Sequence, residues 1–168
     1  MDIDDPGWPL IDDFFRAEAE DRSAATVRRY ARVRQRLVLF LDTADMALGL
    51  GTHPATLLDA ERQFHDSGAF WTLFGPAELV CCLPSFLHAT WLPESAADAR
   101  AQISLVGRLL KHLSRGGWLD RVDVTCAYWD AEAAVKRARR EVAARSHEPE
   151  DGPVRMPSRL RQPPGPEW

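Results

Sequence analysis

Apolar residues recur at helical spacing along nearly the whole of this chain, and no convincing period-two alternation appears outside a brief stretch at 119–124, read as a connector. The clearest segment is 23–41, SAATVRRYARVRQRLVLFL. Wound at about 100° per residue, it gathers Val27, Tyr30, Val33, Leu37, Val38, Phe40 and Leu41 on one half of a helix and sets Arg28, Arg29, Arg32 and Arg36 opposite. Ser23 is the expected N-cap, its hydroxyl placed to accept a backbone N–H that the first turn leaves unpaired. Arg34 falls inside the apolar arc, so it must reach water or a carboxylate, because burying an unpaired charge costs several kcal/mol.

The same periodicity predicts the remaining elements. A first helix over 9–21 buries Leu10, Phe14 and Ala17, and Gly49-Leu50-Gly51 ends the arginine-rich helix that follows. Another helix over 54–66 turns Leu57, Leu58, Ala60 and Phe64 inward. Pro76 opens an apolar helix running to about Thr90, kinked where Pro84 removes one backbone bond, and this segment is expected at the centre of the core. Ser95 caps a second long helix that stops at Gly116-Gly117. Ile103, Val106, Leu109, Leu110 and Leu113 form its apolar side with Leu105 at the margin, and Arg100, Ser104, Arg108, Lys111 and Arg115 face away. A last helix over 131–145, N-capped by Asp130, has only the thin seam Ala131, Ala134, Val135, Ala138 and Val142, with Lys136, Arg137, Arg139 and Arg140 outside. The expected architecture is all-α: a compact orthogonal bundle of about five to six helices over 9–146. It lies between a flexible acidic N-terminus, 1–8, and a proline-rich tail, 147–168, too poor in large apolar residues to order itself.

The two long helices resemble each other. Aligned without a gap, SAATVRRYARVRQRLVLFL and SAADARAQISLVGRLLKHL match at the opening Ser-Ala-Ala and at Arg28/Arg100, Arg36/Arg108, Leu37/Leu109 and Leu41/Leu113. This is either a worn internal repeat or one packing problem solved twice, since alanines and leucines match cheaply.

At 168 residues the chain is long enough for one domain with a real core. Three cysteines, Cys81, Cys82 and Cys126, without a C-x-x-C pair suit a reducing compartment and free thiols. No signal-like opening and no apolar run of about 20 residues occurs, so a cytoplasmic protein with no membrane partner is expected. A net charge of −4 taken alone opposes a general polyanion binder. The charge is segregated, however. Asp2, Asp4, Asp5, Asp12, Asp13, Glu18, Glu20 and Asp21 crowd the first 22 residues, whereas 23–41 holds five arginines and no acid. The acidic segment is also the natural neutraliser of the basic helix.

The order Ser23, Thr26, Tyr30, Leu37, Phe40, Leu41 resembles the opening of the core-binding, SAM-like N-terminal domain of tyrosine recombinases and phage integrases. A later Ser-led helix ending in a glycine turn, Ser95 to Gly117, is similar to the helix that completes that module, and the resemblance spans about residues 9 to 120. It implies a four-to-five-helix domain that clamps duplex DNA with its basic faces. On the matching helices that role falls to Arg28, Arg29, Arg32, Arg36, Arg100, Arg108, Lys111 and Arg115. Arg34 and the stretch Phe70 to Phe74 depart from the family pattern, and no second domain supplies the arginine, His-x-x-Arg pair and nucleophilic tyrosine of a recombinase.

Other chemistry is sparse. The five histidines are scattered with no zinc-ligand spacing, so no metal or cofactor site is expected. His88 stands on the helical pitch from Cys81 and Cys82, but with no orienting acid in sight its expected role is core packing. Of six tryptophans, 71, 91, 118 and 129 are assigned to the core or its rim, while Trp8 and Trp168 lie in the chain ends, where an exposed indole can dock on a protein partner. The expected function is a non-catalytic DNA-binding module using phosphate contacts. The alternative is a helical interaction or adaptor module whose tail or terminal tryptophans tether a protein partner. Oligomeric state has no signature in the sequence.

Overall fold

The computed structural model describes residues 7–119 and 121–145, with the backbone alone at 7, 8 and 121–123. Eight helices and no strands occur among them: α1 Gly7–Ala19, α2 Ala24–Thr43, α3 Ala47–Leu50, α4 Thr52–Glu61, α5 Ala69–Leu73, α6 Pro76–Phe86, α7 Ala96–Arg115 and α8 Arg121–Arg145. The chain is therefore all-α, with two or three more helices than expected, and none is long and apolar enough to cross a membrane. The proline-rich tail and Trp168 lie outside the described residues, as does the Trp8 side chain.

α2 and α7, each of 20 residues, begin alike. Ser23 Oγ accepts from the Thr26 N–H and Ser95 Oγ from the Asp98 N–H, each at 3.4 Å. They also bury equivalent positions, Tyr30/Gln102, Val33/Leu105, Leu37/Leu109 and Leu41/Leu113, and pack on each other. Leu105 thus belongs to the core rather than the margin, whereas Val27 is exposed. α1 lies along α2, burying Leu10, Ile11, Phe14 and Phe15 while Ala17 faces water. Arg34 solves its problem locally: its Nε donates to Asp12 of α1 at 2.6 Å.

The centre is aromatic. Phe40 meets Phe86 at 5.1 Å between ring centroids and Trp91 edge-on at the same distance. Gln102, fully buried, donates from Nε2 to the carbonyls of Phe86 at 2.9 Å and Trp91 at 3.2 Å. One amide thus satisfies the last carbonyl of α6 and ties it to the chain that follows at Trp91. α6 ends at Phe86, two residues past Pro84, and not near Thr90.

The 54–66 prediction needs the largest correction. α4 stops at Glu61, burying Ala55 and Leu58, while Leu57 is half exposed, Ala60 faces solvent and Phe64 is 81% exposed. Arg62 causes the turn. Its guanidinium donates to the carbonyls of Leu41 at 2.7 Å and Ala44 at 2.9 Å, closing the end of α2, and Asp42 accepts from the Ser67 hydroxyl and the Gly68 N–H. These bonds direct the chain away from its helical path and carry Phe64 outward.

α8 begins about ten residues before the expected start. Its seam runs back through Ala127 to Val124, so 119–124 is only partly a connector and Asp130 lies inside the helix. α8 packs on both α6 and α7. At Gly107 the approach is close enough that a Cβ would touch Val135 at 3.5 Å and the Arg139 guanidinium at 3.6 Å.

Gly49 marks the tightest backbone contact, between α3 and α6. A Cβ there would stand 2.8 Å from the Cys81 carbonyl oxygen and 3.0 Å from the Cys82 Cα, both backbone atoms that cannot swing aside. Gly49→Ala is expected to destabilise the fold by about 1–3 kcal/mol, the usual scale of overpacking, read as a lower urea midpoint with unchanged slope.

Candidate nucleic-acid interface

The eight cations expected to form one surface divide into two sets. Asp98, at the start of α7, accepts from Arg29 at 2.8 Å and from Arg32 at 2.9 and 3.0 Å. Arg108 is half-buried and engaged three times: with Glu18 of α1 at 2.9 Å, with the Tyr30 hydroxyl at 2.9 Å, and over the Tyr30 ring at 5.4 Å. These three arginines join α1, α2 and α7, and each is paired with a carboxylate, Asp98 being shared by two of them. Arg28, Arg36, Arg100, Lys111 and Arg115 have no carboxylate within 4.0 Å among the described residues.

The α2 arginines held by Asp98 do not share a side with Arg100. Asp98 and Arg100 are two residues apart on α7, about 160° around the helix, so the arginines that α2 sends to Asp98 lie on nearly the opposite side from Arg100. What joins the α7 row is α8. Arg139 reaches over Gly107, on the flank of α7 that also carries Arg100 and Lys111. Lys136, Arg139 and Arg140 are exposed and have no carboxylate within 4.0 Å among the described residues. Arg137, on the other flank of α8, meets Glu141 at 3.9 Å. Residues 96–145 hold ten Lys and Arg against six Asp and Glu, a local +4 within a chain of net −4.

Two aromatic residues border this basic face. Trp129 is 67% and Trp118 52% exposed, against their assignment to core or rim, while Trp71 and Trp91 do pack inside. Trp129 forms a wall of a shallow recess of about 170 Å³, with Leu119, Val124 and Tyr128 as its apolar lining and Ser114 and Thr125 as hydroxyl-bearing neighbours. Burial and the Glu132 carboxylate push the Tyr128 phenol above its ordinary value, and Arg115 pulls it the other way, which places Arg115 within electrostatic reach of the recess. Sequence reasoning noted the α8 cations but assigned them no role, because the family resemblance ends near residue 120. The available signal was the spacing of Trp129, Lys136 and Arg140, which share one helical face.

The cysteine and histidine candidates do not form a nucleophilic pair. Cys82 is buried, its thiol pushed up to about 12 by burial and then by Cys81 and Glu78. Cys81 is also raised, chiefly by burial. His88 is exposed instead of packed in the core, its Nδ1 paired with the Thr90 hydroxyl at 3.1 Å. Such thiols remain protonated at neutral pH and are weak nucleophiles.

No protein-family model, curated protein or solved structure matches the chain. The likeness to recombinase core-binding domains therefore rests on the residues quoted for it.

Arg32 holds the Asp98 carboxyl below its ordinary value of 3.8, partial burial opposing and Arg29 adding to the depression. A depressed carboxyl stabilises the fold above its unfolded value and loses that contribution as pH falls through the folded one. Asp98→Asn should therefore cost up to about 1 kcal/mol at pH 7, the scale of a partly exposed pair, and less at about pH 3, below the ordinary value. Paired urea titrations of the two proteins at both pH values give the comparison.

Proposed function

We propose that this chain is a non-catalytic, helical DNA-binding module that holds phosphates on the face shared by α7 and α8. The observation supporting this is the sorting of charge: Arg29, Arg32 and Arg108 are engaged by carboxylates in helix contacts, while Arg100, Lys111, Arg115, Lys136, Arg139 and Arg140 are exposed without one among the described residues. A cluster of unneutralised guanidinium and ammonium groups raises the local potential whatever the net charge, and phosphate oxygens are the acceptors that match it. Relative to the clamp expected from the resemblance, this moves the contact surface from α2 to α8. Sequence preference should be weak, because phosphate contacts set register without reading bases.

A second reading, an interaction or adaptor module, is favoured by the exposed apolar side chains Leu48, Leu57, Phe64 and Leu73 on α3–α5 and the turns beside them. The two differ in salt response, since a complex held by apolar contact survives added salt.

For DNA, four to six phosphate contacts imply an affinity loss of about 10²–10³-fold between about 50 and 200 mM salt, measured by fluorescence anisotropy with a labelled duplex. The double variant Lys136→Glu, Arg140→Glu should weaken binding more than tenfold at the lower salt with an unchanged circular dichroism spectrum. Absence of binding at about 50 mM salt to the duplex and to its separated strands alike removes the DNA reading, and greater damage from Arg28→Glu returns the contact surface to α2.

A further inference from the structure

Resting on the nucleic-acid reading above, we propose that the α7/α8 face takes single-stranded DNA in preference to duplex, with an unpaired base lodged against Trp129 and Tyr128. Paired bases expose only their edges in the grooves, their faces being covered by stacking. An exposed indole beside a cationic row is therefore useful to a base whose face is free.

The placement suits such a strand. Trp129, Lys136 and Arg140 follow one another at seven and four residues, a nearly straight row on the outer side of α8 about 16 Å long. A base stacked at Trp129 would leave its backbone running toward Lys136 and Arg140 in one direction and toward Arg115 in the other. The recess of about 170 Å³ holds the volume of about five or six waters, the scale of one nucleobase, and is walled mainly by apolar and aromatic groups. Ser114 brings a hydroxyl to it, which can hydrogen-bond a base edge without selecting one base.

Trp118 lies on the turn into Leu119, a wall of the recess, and is seated on a glycine. A Cβ at Gly116 would stand 2.6 Å from the Trp118 Cδ1 and 2.7 Å from its Nε1, so the indole rests directly over the Gly116 backbone. An exposed aromatic held in one orientation is a preformed stacking surface, losing little conformational freedom when a base arrives.

The test titrates the full chain with a labelled oligothymidylate and a duplex of equal length at about 50 mM salt. The expected result is tighter single-strand binding by about tenfold or more, with quenching of tryptophan emission. Trp129→Ala should lower single-strand affinity by about five- to a hundredfold, the range of base–aromatic stacking, while changing duplex affinity less than twofold, and Trp129→Phe should recover most of the loss. Because Trp129 is largely exposed, the variant should fold, as circular dichroism will verify. Duplex binding equal to or tighter than single-strand binding overturns this inference alone, as does a Trp129→Ala variant that weakens both equally or neither. Binding of neither nucleic acid overturns the phosphate reading as well.

Discussion

Burial of α7 on three sides constrains the rest of the molecule. This helix packs on α2, α6 and α8 and buries Ala99, Gln102, Ile103, Leu105, Val106, Leu109, Leu110 and Leu113, an arc of about 160°. An apolar stripe of that width faces the core, the water-facing strip lies opposite, and every charge on α7 must either occupy that strip or find a partner at its edges. Arg100, Lys111 and Arg115 take the strip, while Asp98 and Arg108, at the border with α2, are drawn into pairs.

That border explains why a strongly basic sequence segment does not become a strongly basic surface. α2 carries five arginines, but Asp98 engages two and Asp12 a third. Each pair is half-exposed and of modest energetic worth, yet together they fix how α1, α2 and α7 meet. α8 has the opposite design. Its cations exceed its acids and face outward, so the positive potential arises where the sequence is less conspicuous.

Much of the fold was legible from residue spacing because the long helices are amphipathic and capped. Ser23 and Ser95, the apolar faces following them, the Gly116-Gly117 stop and the need of Arg34 for a carboxylate are all local properties, and local properties survive folding. The errors arose where tertiary bonds override periodicity. Nothing near Phe64 announces that Arg62 will cap the end of α2, eighteen and more residues away. The start of α8 was missed because a seam of alanines gives a faint period, and Tyr128-Trp129 reads as core until neighbours are known. The candidate site was half legible: charge could be placed on helix faces, but the engagement of three arginines by Asp98, Glu18 and the Tyr30 hydroxyl required knowing which helices touch.

The thin seam of α8 has a thermodynamic corollary. Ala131, Ala134 and Ala138 allow close approach but offer few atoms for dispersion contact, so α8 is held with less free energy per turn than the leucine-rich α7. Segments anchored in this way open more readily than the global structure and exchange their amide hydrogens sooner. An anion bridging cations of α8 and α7 would meet both sets only with the helix docked, so occupancy and the order of this last helix would be linked quantities, each raising the other.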